Sequence, residues 1–166
     1  GDHRDLHLSI RRQRQMCIRD SLTTGSIDEK KIYAIKPLTF MNNSGTAIKE
    51  LIDYFKIDAK DVIVFHDDMD IDFGKVKAKF GGSSAGHNGI ESIDKFIGKD
   101  YSRVRIGIGH PKQKKRVNNH VLEDFKEDED EKIKEITENI VKQIPTLIEK
   151  KLDLFSSKVN QNLNGI

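Results

Sequence analysis

The run Val62-Ile-Val-Phe65 is wholly apolar, and it breaks at once into His66-Asp67-Asp68-Met69-Asp70-Ile71-Asp72. A strand with no polar alternation has both faces covered, the pattern of an α/β sheet. His66, Asp67, Asp68 and Asp70 then fall at or beyond its carboxyl end, where open α/β sheets place their ligand crevices. A solvated acidic turn after a core strand is the plainer alternative.

The neighbouring stretches fit that class. Ile32 to Ile35 reads as a short apolar strand, stopped by Lys36-Pro37 because proline cannot donate to a ladder. The polar loop Thr39 to Gly45 leads into a helix whose apolar face is Ile48, Leu51, Ile52 and Phe55, with Ser44 as its N-cap. A strand, a helix and a second strand make a βαβ unit, so Ile32–Ile35 and Val62–Phe65 are expected to run parallel. From Gly74 the period becomes two, with Val76, Ala78 and Phe80 facing one way and Lys75, Lys77 and Lys79 the other. A glycine-rich stretch, Gly81 to Gly89, precedes a short helix with Ile90, Ile93, Phe96 and Ile97 on one face. Val104, Ile106 and Ile108 alternate with Arg103, Arg105 and Gly107 as another strand. A long helix is expected from about Asp128, ended or kinked at Pro145, and the chain after about Ser156 is expected to fray. The resulting fold class is α/β: one three-layer domain with a mixed, partly parallel sheet holding Ile32–Ile35, Val62–Phe65 and Arg103–Ile108.

A chain of 166 residues suits one domain that needs neither disulfides nor metal for its core. No apolar run approaches membrane-spanning length, and the single Cys17 cannot form an internal disulfide, so a cytoplasmic location is expected. The net charge of +2 does not announce a nucleic-acid partner, but its distribution says more. Lys75, Lys77 and Lys79 line one strand face and Lys112, Lys114, Lys115 and Arg116 crowd a loop, as a phosphate-binding surface would require. Exposed edge strands also carry lysines merely for solubility.

Residues 1–22 read differently from the rest. They hold five arginines and no lysine, and without them the remaining body, 23–166, is formally neutral. Met16 to Ser21 resembles translated sequencing-adapter sequence, so residues 1–22 are expected to be a non-native or disordered extension.

Two common site types do not fit. Asp68, Asp70 and Asp72 have the spacing of a calcium loop, but the glycine comes one place late and the twelfth position is Lys79. Gly81 and Gly86 have a P-loop gap, but His87-Asn88 stands where Lys and Ser/Thr are needed. No metal and no cofactor is expected. What remains is Asn42, Asp67 and the pair His87-Asn88 on three loops. An asparagine amide can donate to a carbonyl oxygen as charge develops on it, and an aspartate at a strand end can fix the tautomer of a histidine base. Asn42 and Asn88 can equally serve as caps of a turn or helix.

Four stretches together resemble the successive signatures of the bacterial-type peptidyl-tRNA hydrolase family. They are Lys36-Pro-Leu-Thr-Phe-Met-Asn-Asn-Ser-Gly45, His66-Asp-Asp-Met-Asp70, Gly86-His-Asn-Gly89 and Arg103-Val-Arg-Ile-Gly-Ile-Gly109. The resemblance implies hydrolysis of the ester joining a peptide to the 3′ ribose of tRNA, without metal, by a cytoplasmic protein acting as a monomer. It implies that Asp67 orients a catalytic histidine, that Phe40, Asn42 and Asn88 hold the peptide and the tRNA 3′ end, and that His87 supports that site. Peptidyl-tRNA is then the expected partner of Lys75, Lys77 and Lys79. The family begins with a strand, a Gly-Leu-Gly-Asn-Pro-Gly loop and Thr-Arg-His-Asn, whose histidine is the base. Residues 1–22 carry none of these motifs. The expected consequence is impaired turnover, and the alternative is a non-catalytic RNA-binding member of the same family.

Overall fold

The computed structural model describes residues 20–110, 121–122 and 124–163. These residues group into two compact units.

The first unit begins with an antiparallel hairpin, β1 (Asp20–Ile27) and β2 (Lys30–Pro37), in register from Asp20 opposite Pro37 to Ile27 opposite Lys30. Its turn residues, Asp28 and Glu29, both have positive φ (48° and 65°), the backbone that matches the right-handed twist of a hairpin. Glycine or asparagine would announce such a turn, and neither is present, which is why β1 is not evident in the sequence. Ile32–Ile35 therefore lies in a two-stranded sheet of its own among the described residues, not beside Val62–Phe65 in a parallel pair. Closing two adjacent segments through a two-residue turn costs little chain entropy, and that local pairing is the one formed.

Helix α1 (Ser44–Phe55) follows a 3₁₀ turn at Met41–Asn43. Ala47, Ile48, Leu51 and Ile52 are buried, as the spacing predicts, and Phe55 lies against Tyr33 of β2 with ring centroids 4.0 Å apart. The helix stops at Lys56, which takes the left-handed conformation (φ 56°), and Ile57 N–H closes onto the Ile52 carbonyl at 2.9 Å. Ser44 is not the N-cap; it is the first helical residue, and its hydroxyl turns back to donate to the Met41 carbonyl at 2.9 Å. Helix α2 (Asn88–Ile97) packs its buried Ile90 and Ile93 into the same unit.

The second unit contains β3 (Ile63–Asp68), β4 (Val76–Phe80), β5 (Ser102–Gly107), α3 (Glu127–Ile148) and α4 (Leu152–Leu163). The strand order is β3-β5-β4, with β3 parallel and β4 antiparallel to β5, so the sheet is mixed and partly parallel as expected. The strand does not end at Phe65: the ladder to β5 continues through His66, Asp67 and Asp68. Val76 and Val104 of the sheet pack with Ile136, Ile140 and Leu147 of α3 and Phe155, Val159 and Leu163 of α4. Pro145 does not end α3, which runs on to Ile148. Nor does the chain fray from Ser156 to Leu163, because Phe155, Val159 and Leu163 recur at i, i+4 and i+8 and form the buried stripe of α4.

α4 also closes one sheet edge. Asn160 donates through Nδ2 to the Val76 carbonyl at 2.7 Å and accepts the Val76 N–H at 3.0 Å, while Ser156 Oγ accepts the Ala78 N–H at 2.8 Å. These side chains act on β4 as a further strand would, which is a protected way to finish a sheet. Asn160→Ala is expected to lower unfolding stability by about 2 kcal/mol, because it orphans both main-chain groups of a buried residue. Chemical denaturation of the two proteins checks this.

Among the described residues no helix is long and apolar enough to cross a membrane.

Candidate active site

Phe40, Asn42, His87 and Asn88 all belong to the first unit. Phe40 is 88% exposed at the entrance to the 3₁₀ turn, and Asn42 and Asn88 are both exposed. Asn42 sits within the turn ahead of α1, and Asn88 is the first residue of α2. The structure brings these two helix starts together. Met41 Sδ rests on Gly89 so closely that a Cβ at Gly89 would lie 2.6 Å from it, and Gly45 N–H donates to Ser92 Oγ at 3.0 Å. The two amides therefore stand at the same end of the α1–α2 pair, presented to solvent from a fixed base.

His87 has a different part from either asparagine. It is the N-cap of α2, its Nδ1 accepting the N–H groups of Gly89 at 3.1 Å and Ile90 at 3.2 Å. Two of the orphan donors at the helix start are satisfied in this way. With Nδ1 engaged as an acceptor, the neutral ring carries its proton on Nε2. The cap role that the sequence left open for Asn88 is taken one residue earlier, by a ring rather than an amide.

Asp67 and the lysines belong to the second unit. Asp67 is half-buried near the carboxyl end of β3, opposite Ile106 of β5. His66, on the neighbouring position, points to the other face and bonds through Nδ1 to the Asp67 main-chain carbonyl at 2.7 Å. Asp68 shares the His66 face. Its carboxylate is buried and takes Arg105 Nε at 2.7 Å and the Asp70 amide at 2.9 Å. Burial pushes the Asp68 carboxyl up, but the Arg105 hydrogen bond, the Asp70 amide and the Arg105 charge outweigh it and hold the pKa below the ordinary carboxylate value.

Sequence reasoning missed Arg105 as a partly exposed member of the basic face and Arg103 as a buried charge beneath it. Register supplies them: Lys77 stands opposite Arg105 and Lys79 opposite Arg103, so four cations share one sheet face with the single carboxylate of Asp68. Lys75 continues the row just before β4. Burial, then the charges of Arg105 and Arg103, lower the Lys79 pKa, which marks the crowding of like charge there. Arg103 is 1% exposed and lies over the Tyr101 ring at 4.7 Å, so it builds the sheet's potential from within. The alternation Arg-Val-Arg-Ile was visible in the sequence, but its pairing with the lysine strand was not. The Lys112 to Arg116 loop and residues 1–19 lie outside the described residues, as do His3, His7 and His120.

Two exposed amides on a rigid base can bind and polarise a carbonyl, a carboxylate at a strand end can orient a base, and a cationic sheet face can take phosphates. The family model described as peptidyl-tRNA hydrolase matches residues 3–165. A peptidyl-tRNA hydrolase of Pelagibacter ubique is 73% identical over 139 residues, covering 84% of this chain and 75% of the relative. That of Aliarcobacter butzleri is 49% identical over 123 residues, covering 74% and 67%. The crystal structure of peptidyl-tRNA hydrolase from Acinetobacter baumannii superposes with a TM-score of 0.76 at 26% identity, over 91% of this chain and 83% of that one. Sequence match along nearly the whole chain and likeness of fold agree, and this chain belongs to the peptidyl-tRNA hydrolase family.

Proposed function

We propose that this chain hydrolyses the ester joining a peptide to the 3′ ribose of tRNA, freeing tRNA for further translation in the cytoplasm. Water attacks the ester carbonyl carbon, the bond from that carbon to the ribose oxygen breaks, and the ribose oxygen takes a proton. The observation that carries this reading is the pair of exposed amides, Asn42 and Asn88, held at adjoining helix starts in a member of this family. The amide of either one donates to the carbonyl oxygen as negative charge builds, and the other anchors the peptide or the terminal nucleoside. Phe40, with its ring exposed, offers a face for stacking against the base or an apolar side chain. His87 holds α2 so that Asn88 is aimed.

Asp67 is assigned the orientation of a histidine base. The family's Arg-His-Asn motif is not in this sequence, so the chain by itself is expected to turn over slowly, with the amides supplying the remaining catalysis. Release of the acyl group from N-acetyl-aminoacyl-tRNA, followed against buffer, tests the activity. Tight binding of the RNA with release no faster than buffer would favour the RNA-binding alternative.

Lys75, Lys77 and Lys79, with Arg105 beside them, are assigned to the tRNA phosphates. Each contact removed by Lys77→Ala or Lys79→Ala is expected to lower the slope of log affinity against log salt by roughly 0.7 to 0.9. Titration of labelled tRNA at several salt concentrations reads this, and an unchanged slope in the double variant rejects the assignment.

A further inference from the structure

The two asparagines are exposed, and exposed side chains on separate helices hold a common geometry only if something beneath them fixes it. Among the packing contacts of this helix pair, one side-chain hydrogen bond ties the first turn of α1 to α2. Gly45 is the second residue of α1, so its N–H has no acceptor within its own helix. Ser92, on the second turn of α2 and 4% exposed, supplies that acceptor through Oγ at 3.0 Å. The helices touch backbone to backbone there: a Cβ on Gly45 would run into the Ser92 carbonyl oxygen and lie 2.6 Å from Phe96 Cδ2. Directly before Gly45, the buried Ser44 donates through Oγ to the Met41 carbonyl at 2.9 Å and touches Met41 Sδ at 3.9 Å, and that sulfur seats on Gly89. Asn42 follows Met41, and Asn88 precedes Gly89.

We propose that Ser92 is a positioning residue: through its bond to the Gly45 amide it sets the spacing of the Asn42 and Asn88 amides. Ser92 is buried and takes no part in substrate contact. Its hydroxyl joins the first turn of α1 directly to α2, and the Met41–Gly89 contact carries that registration to the asparagines. Removing the hydroxyl leaves the Gly45 N–H without its acceptor, so the two helix starts shift until that amide finds water. A displacement on the order of 1 Å between groups that must hold one carbonyl costs up to about 10²-fold in rate. This inference rests on the reading of Asn42 and Asn88 as the substrate-holding pair.

The test compares the full chain with Ser92→Ala and Ser92→Thr, using single-turnover release from N-acetyl-aminoacyl-tRNA and affinity for deacylated tRNA, after thermal melts have set a temperature at which all are folded. Ser92→Ala is expected to lower the saturated rate by roughly 10 to 10²-fold while RNA affinity changes less than about twofold, and Ser92→Thr, which keeps the hydroxyl, is expected to restore most of the rate. A purely structural serine would lower rate and affinity together, in proportion to the protein unfolded, and that result overturns the proposal. If Ser92→Ala melts too low for the assay, Ser92→Cys, a weaker acceptor, takes its place, and a rate equal to that of Ser92→Thr overturns the proposal as well. Asn42→Ala and Asn88→Ala are measured alongside. If neither affects release, the reading of the site fails; if both do and Ser92→Ala matches the unaltered chain, the positioning role alone fails.

Discussion

Placing a segment that carries the family's Thr-Arg-His-Asn motif ahead of β1 is expected to raise the rate of acyl release from N-acetyl-aminoacyl-tRNA by about 10² to 10⁴. The expectation comes from the chemistry of Asp67. An unperturbed aspartate has a pKa of about 3.9 and a histidine about 6.5, so a carboxylate at neutral pH is a far weaker base than an imidazole and serves better to hold one. Asp67 is half-buried near a strand end, where it can set the tautomer and direction of a ring presented to it. Asp67→Asn in the extended protein should then remove most of the gain, since an amide can hold the wrong tautomer. Equal rates before and after the addition would mean that the chain already holds its base. Stopped-time assays at saturating enzyme, with RNA binding measured separately, distinguish a change in chemistry from a change in affinity.

The second large effect is expected at the amides. Asn42→Ala and Asn88→Ala should each lower the saturated rate by about 10² to 10³ if the residue donates to the developing oxyanion, the size seen when one such donor is removed. The residue that instead anchors the peptide or ribose should raise KM and leave kcat closer to its starting value. Both residues are exposed at the edge of their helices, so neither substitution removes a buried contact, and the melting temperature should move little. The pair therefore separates catalysis from folding better than any buried position does. Substitution of His87 would not, because it would release the Gly89 and Ile90 amides at the start of α2.

Much of this was legible in the residues, for identifiable reasons. The spacing of Ile48, Leu51 and Ile52 gives the buried face of α1, and the apolar run from Val62 gives a strand of a mixed sheet, but not one covered on both faces, since Phe65 is 45% exposed. The polar residues of the site were legible as types at element ends. What was hidden depends on pairing. β1 is closed by a turn that places Asp28 and Glu29 in a conformation neither prefers. His66 to Asp68 stay within β3 because β5 continues alongside and Arg105 neutralises Asp68 from 37 residues away. The stripe Phe155, Val159, Leu163 is sparse, and its value appears only against the Val76 and Val104 face. Likewise Gly45 and Ser92 look ordinary in sequence, and the tie between them exists only once α1 and α2 are packed.

The most direct measurement is the fate of N-acetyl-aminoacyl-tRNA incubated with the full chain at enzyme excess. The products expected are the N-acetyl amino acid and an intact tRNA with a free 3′ hydroxyl, in equal amounts and faster than in buffer, with the excess rate lost in the Asn42→Ala, Asn88→Ala double variant. RNA that is bound while its ester decays at the buffer rate, in both this chain and the form extended with the Thr-Arg-His-Asn segment, would contradict a hydrolytic role.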